Sequence, residues 1–285
     1  MKYFTVDAFA QEPFGGNPAG VVLIDKGSNF PDDETMRKIA AEMRYSETAF
    51  VQQNGPEEFT VRYFTPAAEV DLCGHATIAS FSVLREEGIV PEGTTCINHT
   101  KAGDLEITVG NKILMEMATP EIVGEIQNTQ RLKTIMDVPT QDEHAEENLP
   151  TLIVSTGLPD IIFPVASIEA LDALKPDMEA LSKFSEEMEV VGVHAFALSN
   201  DGCTAHVRNF APLYDIPEES ATGTANGALT YYLYHQGTIA ANDKCSFMQG
   251  EAMKRPSVVE TEINGGNKIY VGGNSYILTK GEMNL

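Results

Sequence analysis

The chain repeats itself once, at a spacing of about half its length. An Arg-x-Phe-x-Pro motif begins at Arg62 and again at Arg208, which are 146 residues apart (208 − 62). Each copy precedes a glycine turn, at Gly74 and at Gly223, and these are 149 residues apart (223 − 74). After each turn an apolar stretch ends at a glycine 14 residues further on. A nearly constant offset over several features indicates two similar halves.

The two halves predict two α+β domains side by side. Each glycine turn precedes an apolar stretch that reads as a helix, and the surrounding segments read as short strands. Many strands with few helices indicate that each sheet curls around a central helix. We expect an N-terminal domain of residues 1–120 and a C-terminal domain of residues 121–285, whose last strand can return to the first domain.

The charge of the chain excludes several classes of partner. With 19 Lys and Arg against 42 Asp and Glu, the 285 residues carry a formal net charge of −23. Such a surface repels nucleic-acid phosphates and anionic lipids, so we expect neither nucleic acid nor membrane as a partner. No signal peptide and no apolar run of roughly 20 residues is visible. The four cysteines lack CxxC spacing, which is typical of reduced thiols in a cytoplasmic protein.

The two halves differ in their polar residues. Glu47 corresponds to Val193, and His75 corresponds to Thr224, so a carboxylate and an imidazole occur in the first half alone. These positions lie at strand ends and helix starts, where the binding sites of paired domains are usually built. An unequal set of polar groups is what a directional proton transfer requires. The alternative interpretation is that duplicated halves have drifted apart.

No metal or nucleotide motif is present in the sequence. The remaining histidines show no ligand spacing such as HxxxH with a carboxylate, so we expect no metal; they are His99, His144, His194, His206 and His235. Neither glycine turn matches GxGxxG or GxxxxGK[ST], and we therefore expect no nucleotide cofactor.

Several other polar residues have a structural interpretation. The acidic segment 141–148 is expected to be a solvated loop rather than a metal or partner site. Arg62 and Arg208 are expected to form structural ion pairs more readily than to bind a substrate carboxylate. Asn17 follows a Gly-Gly turn, and it either holds this loop or contacts the substrate.

The chain resembles the PhzF-like, or phenazine biosynthesis-like, family. The resemblance covers nearly the whole chain and depends on six motifs taken together: FTVDAF at 4–9, GGNPAG at 15–20, SETAF at 46–50, RYFTP at 62–66, DLCGHAT at 71–77 and RNFAP at 208–212. It implies the fold of diaminopimelate epimerase, in which two pseudo-symmetric domains each curl a mostly antiparallel sheet around a central helix. It also implies cofactor-independent isomerase chemistry on a substrate between the domains, and often a homodimer.

The resemblance implies a role for two residues of the first half. In the best-understood members, a Glu at the position of Glu47 moves a proton as general acid and base. This chemistry suits a carboxylate partly shielded from water, whose pKa rises toward the working pH. His75 stands at a helix start, and the helix dipole is expected to bias it toward the neutral form. It can then donate a hydrogen bond or relay a proton.

The second glycine turn departs from the family pattern. The family usually reads Glu-Asp-Pro-Ala-Thr-Gly-Ser, whereas this sequence reads EESATGT. Glu219 replaces the Asp, Ser220 the Pro and Thr224 the Ser. Glu219 can transfer a second proton or only cap the turn. Thr224 and the backbone amides after Gly74 and Gly223 are expected to bind a substrate carboxylate.

Cys73 raises an alternative. Amino-acid epimerases of this fold use two thiols, one from each half, but the partner position here is Thr222, which cannot act as a thiolate. We therefore disfavour a two-thiol epimerase and expect Cys73 to be a small residue packed beside the substrate. The main hypothesis is an isomerase that moves a proton on a small carboxylic acid. The alternative is a non-catalytic small-acid binding or regulatory protein, which a normal Glu47 pKa on an open surface would favour.

Overall fold

The computed structural model describes residues 1–139 and 149–284. The acidic segment that was predicted to be a solvated loop, together with His144, lies outside the described residues. Two compact units divide the chain, and we call them unit 1 and unit 2. Unit 1 consists of Met1–Glu116 and the C-terminal segment from Gly272, and unit 2 consists of Met117–Val271.

Unit 1 contains nine strands and two helices in its described residues. They are β1 (Lys2–Ala8), β2 (Asn17–Leu23), β3 (Thr48–Gln53), β4 (Glu58–Phe64), β5 (Glu69–Val70), β6 (Thr94–Thr100), β7 (Gly103–Val109), β8 (Ile113–Glu116) and β18 (Ser275–Glu282), with α1 (Asp33–Met43) and α2 (Gly74–Glu86). Strand β1 pairs antiparallel with β18 and β2. From β2 onward the order is β2-β3-β4-β6-β7-β8, with parallel pairs β2–β3 and β4–β6 and antiparallel pairs elsewhere.

Unit 2 repeats this pattern. Its elements are β9 (Glu121–Glu125), β10 (Leu152–Ser155), β11 (Pro159–Pro164), β12 (Val193–Leu198), β13 (Ala205–Ala211), β14 (Ile216–Glu219), β15 (Lys244–Gln249), β16 (Ser257–Asn264) and β17 (Lys268–Gly273, which ends past the unit boundary), with α3 (Gln130–Ile135), α4 (Ile168–Ala173), α5 (Met178–Glu187) and α6 (Gly223–His235). Strands β11–β12 and β13–β15 pair parallel, and β12–β13 and β15–β16 pair antiparallel. Parallel and antiparallel pairs therefore alternate in the same order along β2-β3-β4-β6-β7 and along β11-β12-β13-β15-β16. This correspondence confirms the predicted repeat.

A buried helix lies at the centre of each unit. Every residue of α2 from His75 to Leu84 is buried, and the helix contacts β1, β2, β3, β7 and β8. Two hydroxyl groups inside α2 donate to carbonyls one turn back, Thr77 Oγ1 to Cys73 O at 2.8 Å and Ser80 Oγ to Ala76 O at 2.7 Å, so these two donors are paired although they are buried. Helix α6 packs against β10, β11 and β16. A helix covered on all sides requires a sheet curled around it, and the predicted α+β class is confirmed.

Local sequence sets the helix boundaries. Asp32 caps α1 by accepting a hydrogen bond from Thr35 N at 2.8 Å, and α1 ends at Met43. Its buried residues Met36, Ile39 and Ala40 share one face at helical spacing. Among the helices of the described residues, none combines the length and the apolarity needed to cross a membrane.

Candidate functional site

The central helices α2 and α6 begin in the same way. The preceding residue, Cys73 or Thr222, has extended backbone with φ of −141° or −125°. Neither of these two described side chains accepts a hydrogen bond from the first turn of its helix. First-turn N–H groups lack partners within the helix and attract anions. The predicted turns at Gly74 and Gly223 therefore place backbone amides at two helix starts.

Four predicted site residues of unit 1 meet at the start of α2, and we call them the α2 cluster. Glu47 places Oε2 3.3 Å from Nε2 of His75. Nδ1 of this imidazole lies 3.4 Å from Cys73 Sγ and 3.3 Å from Asn17 Nδ2. Asn17 is buried at the first residue of β2 and contacts the imidazole, and whether it holds the loop or contacts the substrate stays a prediction. Residues that lie 58 positions apart, Asn17 and His75, thus share one polar cluster.

The charge state of Glu47 differs from the expectation. Burial alone raises the pKa of this carboxyl, but His75, followed by Ser46 and Cys73, brings the pKa below its usual value. The pKa of Glu47 is therefore lower than the raised value that would favour general-base catalysis, because the imidazole lies close, which the sequence does not indicate. The carboxyl is nevertheless largely buried, since its side chain is 17% exposed. Glu47 is a shielded carboxylate at neutral pH.

The charge state of His75 also differs from the expectation. Burial lowers the pKa of the imidazole, but Cys73 and Glu47 raise the pKa well above its usual value. Burial keeps the Cys73 thiol protonated by raising its pKa, so the Glu47 carboxylate is the anion present at neutral pH. The expected neutral histidine is wrong because a carboxylate at 3.3 Å outweighs the helix dipole. The Glu47 carboxylate thus favours the protonated form of His75.

The α2 cluster also contains a set of metal-ligand atoms. Glu47, Cys73 and His75 each offer one ligand atom, and these atoms lie within 4.8 Å of one another. The same atoms already contact each other as an ion pair and a thiol–imidazole contact. Among the described residues of unit 1, these three form the group that could hold an ion, and the expected absence of a metal stays a prediction.

A different network surrounds the start of α6, and we call it the α6 network. Thr222 Oγ1 donates to Glu219 Oε2 at 2.6 Å. Gln249 Nε2 donates to the Glu219 carbonyl at 2.8 Å, and Gln249 Oε1 accepts from Thr222 N at 3.1 Å. The same oxygen accepts from Asn226 Nδ2 at 2.8 Å. Glu219 is thus held against the turn, a position compatible with capping and with proton transfer.

Two buried residues near the α6 network are absent from the sequence prediction. Asp160, on β11, is 1% exposed, and burial followed by the nearby Glu219 carboxylate raises its pKa to about 8. Its Oδ1 has no hydrogen-bond partner among the described residues. His194 is fully buried between Asn209 and Asn226, and burial lowers its pKa to about 4. An aspartate in the apolar run PDIIFP was the available sequence signal for Asp160.

The remaining predicted residues have mainly structural contacts. The Thr224 carbonyl accepts from Thr156 Oγ1 at 2.9 Å, and its side chain is half-buried beside buried Gly223. Arg62 donates from two side-chain nitrogens to the two carboxylate oxygens of Glu69. Arg208 donates in the same way to Glu218. The structural interpretation of the two arginines is confirmed.

Comparison with known proteins agrees with this geometry. Residues 6–281 match the family described as phenazine biosynthesis-like protein. The chain belongs to this family. An uncharacterized isomerase of Bacillus subtilis (strain 168) is 34% identical over 272 residues, which cover 93% of this chain and 90% of that protein. The trans-2,3-dihydro-3-hydroxyanthranilate isomerase of Pseudomonas fluorescens is 30% identical over 304 residues, covering 100% and 99% of the two chains. This phenazine biosynthesis-like protein is an isomerase, as predicted.

Solved structures of the family have the same fold. A PhzF family protein of Bacillus anthracis superposes with a TM-score of 0.88 at 27% identity, covering 100% of this chain and 99% of that one. A hydroxyproline epimerase of Agrobacterium vitis superposes with a TM-score of 0.65 at 13% identity, covering 99% and 91%, a likeness that concerns the fold alone. The predicted diaminopimelate epimerase-like fold is confirmed.

Proposed function

We propose that this phenazine biosynthesis-like protein is a cofactor-independent isomerase that moves a proton between two carbons of a small carboxylic acid. Glu47 is the general acid and base, and the acid binds between the two units. The observation that carries this proposal is the Glu47 carboxylate itself. Its Oε2 is buried and makes no well-aligned hydrogen bond in the described structure, although His75 Nε2 lies 3.3 Å away.

A buried carboxylate oxygen without an aligned donor is a suitable proton acceptor. It has no hydrogen bond to break before a C–H proton reaches it, and burial excludes competing water. The neighbouring imidazolium compensates the carboxylate charge before the transfer and can donate to the negative charge that develops on the substrate. Glu47 takes a proton from one carbon, exchanges it with solvent through its 17% exposed side chain, and delivers a proton to another carbon, so nothing is consumed and no oxidant or reductant is needed.

Both helix starts support binding of an acid. The backbone amides after Gly74 and Gly223 suit a carboxylate group, and Thr224 adds a hydroxyl at the second start. Cys73 and Asn17 contact the imidazole and position it toward Glu47. Glu219 serves as a second proton-transfer group next to Thr222. A homodimer is the proposed assembly, because the family resemblance implies it.

A second candidate is a small-acid binding protein without catalysis. One observation favours it: the pKa of Glu47 is lowered, and a carboxylate with a lowered pKa is a weaker base. The replacements at Glu219, Ser220 and Thr224 point in the same direction. The two candidates differ in whether a C–H proton of the bound acid exchanges with solvent.

Deuterium incorporation separates the candidates. The purified protein would be incubated in D2O with trans-2,3-dihydro-3-hydroxyanthranilate, cyclohexadiene acids and amino acids, and the acids analysed by mass spectrometry. We expect wild type to incorporate one deuterium per isomerised molecule. Glu47→Gln should slow this by about 10²–10⁴-fold, the usual contribution of a general acid or base. Glu42→Gln is the matched control, because Glu42 is an exposed glutamate of α1.

Each outcome has a defined meaning. Equal incorporation by wild type and Glu47→Gln would contradict the role of Glu47 and direct attention to Glu219. Binding of an acid, measured as a shift in Tm, with neither deuterium incorporation nor formation of the isomer would support the binding protein.

A further inference from the structure

A second set of metal-ligand atoms lies in unit 2, in the hairpin between β12 and β13. Asp201, Cys203 and His206 each offer one ligand atom, and these atoms lie within 4.8 Å of one another. Asp201 Oδ2 lies 2.9 Å from His206 Nε2, and Asp201 Oδ1 lies 3.3 Å from Cys203 Sγ. One carboxylate therefore contacts both the imidazole and the thiol.

The hairpin holds the carboxylate in place. Ser199 Oγ donates to Asp201 Oδ1 at 2.6 Å, and the backbone N–H of Asp201 donates back to Ser199 Oγ at 3.2 Å. The backbone N–H of Cys203 donates to the same carboxylate oxygen at 3.4 Å. Gly202 between them has φ of +113°, a left-handed conformation that glycine adopts without strain. The turn therefore fixes Asp201 and Cys203 relative to each other before any ion binds.

His206 is oriented from its other side. It is 7% exposed on β13, and its Nδ1 lies 2.5 Å from Oε2 of Glu251, in the turn that follows β15. Histidines that bind metals commonly donate their second N–H to a carboxylate, which fixes the ring and its tautomer. Glu251 provides this contact, and it leaves Nε2 facing Asp201 and Cys203.

We propose that Asp201, Cys203 and His206 bind one zinc ion, with Glu251 orienting the imidazole and a fourth position open to water. In a tetrahedral zinc site, ligand atoms lie roughly 3.3–3.6 Å apart, given the usual Zn–S, Zn–N and Zn–O distances. The distance from Asp201 Oδ2 to His206 Nε2 is 2.9 Å, and the distance from Asp201 Oδ1 to Cys203 Sγ is 3.3 Å. Each lies within about half an ångström of the distance expected in the zinc site. All three ligand atoms lie within 4.8 Å of one another, so small side-chain adjustments bring them to one ion.

The charges balance when zinc enters. Without metal, an imidazolium faces two carboxylates and the thiol is protonated. Zinc replaces two protons, one from the thiol and one from Nε2, and forms Zn–S and Zn–N bonds in their place. The total charge of the four side chains with the ion is then unchanged. Because a thiolate and an imidazole are among the ligands, the site favours zinc over magnesium or calcium, which prefer oxygen.

The bound ion would be structural. It would join the β12–β13 hairpin to the turn after β15 through Glu251, at a place where β13 and β15 already pair. A protein with a net charge of −23 also binds divalent cations weakly on its surface. The test must therefore depend on Cys203.

Cobalt(II) provides this test, because a cobalt–thiolate bond gives a charge-transfer absorption band in the near ultraviolet. The full chain, freed of metal with a chelator under reducing conditions, would be titrated with Co²⁺, and the Co²⁺ complex with Zn²⁺. We expect the band to saturate at one equivalent and to disappear when Zn²⁺ displaces Co²⁺. Cys203→Ser should abolish the band, and Glu251→Gln should weaken Zn²⁺ binding by roughly 10- to 100-fold.

Cys73→Ser is the matched control, because the α2 cluster is the other described set of Glu, Cys and His ligand atoms. It should leave the band unchanged. A band lost in Cys73→Ser but kept in Cys203→Ser would overturn the proposal, and so would binding that does not depend on Cys203. Asp201→Asn changes an exposed residue and supplies a second variant if Cys203→Ser fails to fold.

Discussion

The two helix starts contain the same kinds of buried group in opposite charge states. At the start of α2, His75 lies beside the Glu47 carboxylate, and its pKa is raised well above the usual value. Near the start of α6, His194 lies between the amides of Asn209 and Asn226, and burial lowers its pKa to about 4. Both imidazoles are almost completely buried. The partner therefore decides the charge, and burial alone does not.

The buried carboxyls differ in the same way. Glu47 faces an imidazole, and its pKa is lowered although burial opposes this. Asp160 is buried near Glu219, and burial with the second carboxylate raises its pKa to about 8. Unit 1 thus pairs acid with base at its helix start, whereas unit 2 places acid near acid and histidine between amides. A pair of unlike groups suits proton transfer, and amides around a neutral imidazole suit structural support.

The largest expected effect concerns Asp160 and the pH dependence of stability. A carboxyl whose pKa is higher in the folded than in the unfolded protein keeps its proton on folding, so stability falls as pH rises from about 4 to about 8. The total loss is on the order of 5 kcal/mol, given 1.36 kcal/mol per pKa unit. Asp160→Asn removes this loss and should be more stable than wild type at pH 8, with a smaller difference at pH 5. Urea unfolding at both values measures this, and an equal difference at both would contradict it.

The next effect concerns His194 in acid. A histidine whose pKa is lower in the folded protein gives stability that is complete above its unfolded pKa of about 6.5 and is lost as pH falls toward about 4. The loss is on the order of 3 kcal/mol over this range. In His194→Gln this part of the acid sensitivity should be absent, since an amide does not titrate. Urea unfolding at pH 7, 5.5 and 4 for both proteins tests it, and parallel curves would show that His194 is not the responsible group.

The most direct test of the comparison is the titration of His75. Glu47→Gln removes the facing carboxylate, so the pKa of His75 should fall relative to wild type. In wild type, the raised pKa of His75 contributes stability that is complete below pH 6.5 and is lost as pH rises through the pKa of the folded protein. This contribution should be smaller in Glu47→Gln. NMR of the imidazole ring in wild type, Glu47→Gln and the Glu42→Gln control measures this. A His75 pKa that is the same in all three would show that Glu47 does not set it.

Much of the fold could be predicted because its signals are local or periodic. The repeat at 146–149 residues predicted two similar halves, and the strand pairing of the two units repeats accordingly. The glycine turns predicted the starts of α2 and α6. The family motifs were sufficient to indicate the isomerase class. The residue roles proposed for Glu47 and Glu219 stay predictions until activity is measured.

Sequence by itself thus determined the architecture, the family and the identity of the polar residues at the two helix starts. Only the tertiary structure decided how these residues are charged. Asn17 reaches His75, and Asp160 approaches Glu219, across long stretches of chain. The physical reason is that a pKa depends on burial and on charges a few ångströms away, whatever their separation along the chain. Local sequence indicates a helix dipole at His75, but the fold supplies the carboxylate that outweighs it.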